Sequence, residues 1–254
     1  MADAYLFAGS AADDAGFVAL RDLSEALADE AETGIIGGHM VSLLTASFPS
    51  PGFVPRRTND ADGGIPTALA ASGQVHERLL DRGYTRVGGN RYRRELGVSE
   101  QIVDILVPSL GLRLGTETLG GRQFDSMPGL GVALANRLSI DVHAKLTAGA
   151  QLQFTCHVPS VEGAIILKAY AWEGRRSQKD AIDLHSLFRI VETHSGGEIG
   201  GWHLDESPPR GARRDTGRIL HALARNWEAR PPKVAFDYRQ LVASIRTRVA
   251  PPKP

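Results

Sequence analysis

Apolar residues recur along this chain in two rhythms, and the changes of rhythm mark its elements. In 14–32, Phe17, Leu20, Leu23 and Leu27 fall near helical spacing with acids between them, which predicts an amphipathic packing helix. A short apolar run, 33–38, reads as a strand ending in Gly37-Gly38, and 40–46 as the helix it opens into. A Pro-rich loop at 49–55 leads into a strand over 56–62, which Gly63-Gly64 should break. Residues 66–82 predict one helix with Leu69, Val75, Leu79 and Leu80 inward. Residues 84–87 and 91–96 read as a hairpin turning at Gly88-Gly89-Asn90, its arginines Arg91, Arg93 and Arg94 mostly solvated.

The run Ile102-Val103-Asp104-Ile105-Leu106-Val107 reads as a buried strand. Residues 109–137 are glycine-rich and yield no clear element; Gly129-Leu130-Gly131 mimics a dinucleotide fingerprint, but Met127-Pro128 stands where a strand is required. Strands follow at 138–147 and 151–158, then a helix capped by Ser160 and running to Trp172, and another capped by Ser177 with Leu184, Leu187 and Ile190 inward. A linker at 195–201 and a locally basic stretch at 208–218 precede two closing helices, 216–228 and 237–248. The fold class expected is α/β (α+β): a mixed sheet with flanking helices over 1–158, and a mostly helical part over 159–254.

Composition narrows the picture only a little. Across 254 residues, 29 basic and 29 acidic side chains cancel, so no overall field draws the chain to nucleic acid or membrane. Cys156 is the single cysteine, which excludes an internal disulfide and a Cys-based zinc framework. With no signal-like start and no run of membrane-spanning length, a cytoplasmic location is the expectation.

Candidate chemistry concentrates around Arg57-Thr58-Asn59-Asp60-Ala61-Asp62. Side chains repeat every second residue in a strand, so Asp60 and Asp62 share a side. Two like charges held together call for a cation or a proton, and a hard divalent ion suits oxygen ligands. Asp104, a carboxylate inside an apolar strand, is too costly to be incidental. If its strand lies beside that of Asp60, three carboxylates converge. Glycines at the strand-to-helix turn, Gly37 and Gly38, would leave backbone room for phosphate oxygens. Lys168, among apolar neighbours, reads as a surface lysine with a buried stem. His39 reads as a surface or helix-start residue, and Cys156, His143 and His157 as structural.

These residues together resemble a known signature. Gly37-Gly38, the Asp60-x-Asp62 pair and a third Asp on a later strand resemble the polymerase-β-like nucleotidyltransferase superfamily. The Arg57-Thr58-x-Asp60-x-Asp62 context, followed by Lys168 and Lys179-Asp180-x-x-Asp183-Leu184, is similar to the AbiEii/MenT-type nucleotidyltransferases, toxins of bacterial toxin–antitoxin systems; the resemblance covers roughly residues 30–190.

The resemblance implies an enzyme that moves an NMP from an NTP to a hydroxyl acceptor, a tRNA, another RNA or a protein, with a cognate antitoxin as partner. It implies Mg²⁺ or Mn²⁺ on Asp60, Asp62 and Asp104, with Lys168 as the catalytic lysine. Nucleotide contacts would come from Gly37, Gly38, Arg57, Thr58, Lys168, Lys179 and Asp180. Asp180 is preferred to Asp183 as the helix acid, although the sequence does not separate them. A nucleotidyltransferase with a small-molecule acceptor, a non-catalytic NTP- or protein-binding module and a phosphodiesterase-type hydrolase are the alternatives; the last lacks further metal-spaced ligands.

Overall fold

Buried apolar strands need helices on both faces, and the apolar run at 102–107 falls in the strand at the middle of a mixed sheet that has seven strands among the described residues. The computed structural model describes residues 2–51, 57–96 and 99–251. Its element order opens β1 (Ala2–Phe7), α1 (Ala11–Leu27), β2 (Gly34–Ile36), α2 (Gly37–Ser47) and β3 (Asp60–Gly64). Two short helices, α3 (Thr67–Ser72) and α4 (Gln74–Asp81), precede the hairpin β4 (Thr85–Gly88) and β5 (Arg91–Leu96) and the central strand β6 (Ser99–Pro108). A second hairpin, β7 (Gly115–Leu119) and β8 (Arg122–Met127), leads through α5 (Leu130–Ala135) to β9 (Arg137–Lys145) and β10 (Gln151–Pro159). From there the regular structure described is helical: α6 (Val161–Arg175), α7 (Gln178–Thr193), α8 (Gly211–Ala229) and α9 (Tyr238–Arg248).

In the larger sheet the strand order is β2-β3-β6-β5-β4, with β8 and then β7 continuing beside the far end of β6. β3 and β6 run parallel with Asp62 opposite Asp104, while β5 runs antiparallel to β6 with Arg91 opposite the same Asp104. A separate three-stranded sheet has the order β1-β9-β10. One continuous apolar core joins the strands to α1, α2, α6 and α7. α6 is buried along most of its circumference, as a helix at the centre of a domain must be. The 158/159 division falls at the junction of β10 and α6. No helix among the described residues is long and apolar enough to cross a membrane.

The mixed α/β architecture agrees with expectation; several boundaries do not. Gly63 and Gly64 belong to β3 instead of ending it, because neighbouring helices crowd that strand. A Cβ on Gly63 would lie 3.2 Å from Leu23 of α1, and one on Gly64 2.9 Å from Leu130 of α5. The single helix expected over 66–82 is broken at Gly73, whose φ of +86° ends α3 in the left-handed region that glycine adopts without cost. α2 begins at Gly37, three residues earlier than its apolar pattern suggests. Residues 52–56, where most of the Pro-rich loop and the start of the expected strand fall, lie outside the described residues.

Candidate metal centre

Three carboxylates meet at one end of the β3–β6 pair. Asp60 and Asp62 point the same way from β3, and the parallel register sets Asp104 beside Asp62. One carboxylate oxygen from each of the three lies within 4.8 Å of the others. The convergence read from sequence is therefore present.

The three carboxyls are not equivalent. Burial pushes Asp62 up to about 7, and the neighbouring Asp60 and Asp104 push the same way, while Lys168 and Arg175 only partly offset them. Burial also acts upward on Asp60, but there it loses. The Thr58 hydroxyl, which donates to Asp60 Oδ1 at 2.8 Å, the backbone amide, His39 and Arg91 together hold Asp60 below its ordinary value. Asp104 accepts from Arg91 on both oxygens, Nε at 2.9 Å and Nη2 at 2.6 Å. Arg91 is thus a member of the site and not the solvated strand residue expected, although its side chain stays half exposed. Nothing in its own neighbourhood in sequence reveals this; the signal is the antiparallel register that sets it opposite Asp104.

Gly37 and Gly38 carry a different burden from the one inferred. Gly37 has φ +67°, and a Cβ there would fall 1.8 Å from Asp62 Oδ2. A Cβ on Gly38 would fall 2.7 Å from the Thr58 side chain. The room the glycines leave is taken up by the carboxylate and the threonine that make the site. Ile36, the N-cap of α2, supplies no capping side chain, so the helix presents its N-terminal end beside Asp62 without side-chain capping at that residue.

A second wall faces the carboxylates from α6 and α7. Lys168 is buried, not a surface lysine, and its Nζ lies 2.7 Å from Asp183 and 4.0 Å from Asp180. Asp180 instead receives a two-pronged bond from Arg175, both contacts at 2.7 Å. Of the two helix acids, Asp183 is the nearer partner of Lys168, while Asp180 chiefly holds Arg175. Helical spacing explains the pairing, since 180 and 183 share one buried face of α7. Lys179, one residue aside, is exposed on the outside of the same turn. Arg175, not singled out from sequence, is close enough to Asp62 to lower its pKa.

Arg57 pairs with Asp13 of α1, 3.2 Å distant. His39 is buried with its ring against Phe17, in place of the surface position expected. Both line a cavity of about 320 Å³ that also reaches Thr58, Ser42, Phe7 and Tyr5. That size is at the lower end of ligand-sized clefts, roughly 300–1,000 Å³.

Comparison with known proteins found no family model, no curated protein and no solved structure that matches this chain.

Proposed function

We propose that this protein is a metal-dependent nucleotidyltransferase of the polymerase-β-like kind, moving an NMP from an NTP to a hydroxyl acceptor. The observation that carries the reading is the meeting of Asp60, Asp62 and Asp104 with oxygens within 4.8 Å. The donor set suits a hard divalent cation: all oxygen, nominally trianionic, with burial and the two neighbouring acids raising Asp62 to about 7. Asp60, Asp62 and Asp104 would hold Mg²⁺ or Mn²⁺. Bound there, the ion supplies charge neutralisation at the phosphates and lowers the pKa of an attacking hydroxyl.

The remaining work falls to the chain itself. The N-terminal end of α2, which has no side-chain cap at Ile36, would favour phosphate oxygens through the positive end of its dipole. Lys168 contributes a buried positive charge whose direction is fixed by Asp183. Arg175, held by Asp180, adds a second cation on the same wall. Thr58 orients Asp60 by hydrogen bonding and keeps it ionised. Asp104 accepts the proton of the incoming hydroxyl once Arg91 has left it. The acceptor is an RNA, such as tRNA, or a protein, and a toxin paired with a cognate antitoxin is the biological role that fits the motif context.

Asp60→Ala should abolish pyrophosphate release and labelled NMP transfer while leaving the far-UV circular dichroism spectrum unchanged. Full turnover in the purified variant would sink the proposal. A second reading, a nucleotide-binding module without turnover, draws on Arg91, whose guanidinium already neutralises the third carboxylate. NTP binding that requires Mg²⁺ but releases no pyrophosphate in the presence of total RNA or cell extract would decide for it.

A further inference from the structure

Away from the carboxylates, the sheet β1-β9-β10 buries one face and leaves the other open. Ala4, Leu6, Val142 and Cys156 point into the core. The alternate positions form a grid in register on the opposite face: Tyr5, His143 and Gln153 in one row, Phe7, Lys145 and Gln151 in the next. Tyr5 is 61% and Phe7 72% exposed, which is unusual for large aromatics on a regular strand. The Tyr5 and His143 rings stack with centroids 4.8 Å apart and planes 13° from parallel. Asp3, 3.4 Å from His143 Nε2, fixes that imidazole. The result is a flat, preorganised π surface open to solvent.

We infer that this open face binds an unpaired nucleobase of a single-stranded nucleic acid, stacked on Tyr5 and Phe7. Every base offers a π face to such a platform, and the amides of Gln151 and Gln153 can both donate to and accept from a base edge. Charge sets which end of the grid favours phosphate. Asp3 and Asp141 repel phosphate at one end of the grid, whereas Lys145 lies at the Phe7 end. A shallow cavity of about 300 Å³ covers the platform. The cavity reaching Thr58 starts from the same Tyr5 and Phe7, so a strand seated here continues towards the carboxylates. A protein-sized apolar partner fits this face less well, because the aromatics are hemmed by amide, lysine and aspartate side chains. The inference does not depend on transfer chemistry.

The test uses the full chain in EDTA, without NTP, and measures fluorescence anisotropy of labelled ten-nucleotide poly-U and poly-A strands and of a duplex of equal length. Single strands should bind in preference to the duplex. The Tyr5→Ala/Phe7→Ala double variant should bind about tenfold or more weakly, the size expected from losing base stacking. Tyr5→Phe, which keeps the ring, should retain affinity, and an unchanged far-UV circular dichroism spectrum and Tm of the double variant separate lost stacking from misfolding. One or two cations on the path predict a shallow salt dependence, a slope of roughly −0.7 to −1.4 in log K against log salt. Because this assay contains neither NTP nor divalent metal, failure of the transfer reaction and failure of this site are separable. Equal binding of duplex, or wild-type affinity in the double variant, overturns the inference. So does a wild-type dimer that Phe7→Ala converts to monomer, which would assign the face to a second copy of the chain.

Discussion

Arg91 and Asp104 decide what the three carboxylates can do at any moment. A guanidinium fork matches a carboxylate in both prongs, and here it occupies both oxygens of the third acid. A divalent ion on Asp104 must therefore displace Arg91, which is free to move because half of its side chain faces solvent. Asp104 is buried and the contact is two-pronged, which makes it stronger than an ordinary surface pair, so the competition is real. Arg91→Ala should tighten Mn²⁺ binding by roughly fivefold or more, the equivalent of about 1 kcal/mol or above, as read by isothermal titration calorimetry. Unchanged or weaker binding would show that Arg91 is no competitor and supports the site in another way. The carboxylates themselves were legible in the sequence, because a strand's two-residue repeat and the cost of a lone buried acid are local facts. Arg91 and Arg175 were not. The partners of a long cationic side chain depend on which strand lies alongside or which turn follows, and neither is written next to it.

Elements were legible where one periodicity ran without competition. The strands β6, β9 and β10 and the helices α6 and α7 lie close to their expected places, since long apolar patterns fix both type and phase. Glycine defeated the reading at 63–64 and at 73. A glycine breaks an element where it takes a positive φ, as Gly73 does, but admits a neighbour where it stays extended, as Gly63 and Gly64 do under α1 and α5. Sequence alone does not separate the two uses. The β2–α2 junction combines them. Gly37 has φ +67° and faces Asp62 so closely that a methyl group has no place, whereas Gly38 lacks the positive φ and meets only the movable Thr58 side chain. Gly37→Ala should cost roughly 1–3 kcal/mol in backbone strain alone, and about 2–10 °C in Tm for a chain of this size. Gly38→Ala should cost less. Thermal scans that rank the two variants equally would contradict the close approach of α2 to Asp62.

Across the whole molecule, the acidic site is a place where folding and ion binding oppose each other's electrostatics. Without an ion, folding brings Asp62 from its ordinary 3.8 to about 7, so the folded state keeps a proton that the unfolded chain releases. The stability tied to this group is highest at low pH and is lost as pH rises from about 4 to 7. Asp60, shifted the other way, has completed its contribution by pH 5. The lowered histidines His76, His157 and His185 gain stability as pH rises through 6.5 and so mask Asp62 in the same window. The informative quantity is therefore a difference: Tm of wild type minus Tm of Asp62→Asn, each in EDTA, at pH 5 and at pH 8. That difference should become less favourable to wild type as pH rises. Saturating Mg²⁺ should reverse the trend, because an ion that binds only the folded state stabilises by mass action and binds better once Asp62 has lost its proton. A pH-independent difference that Mg²⁺ leaves untouched would mean that Asp62 is neutralised from within by Lys168 and Arg175, and that the two walls of the cleft form a closed ion-pair network with no demand for a metal.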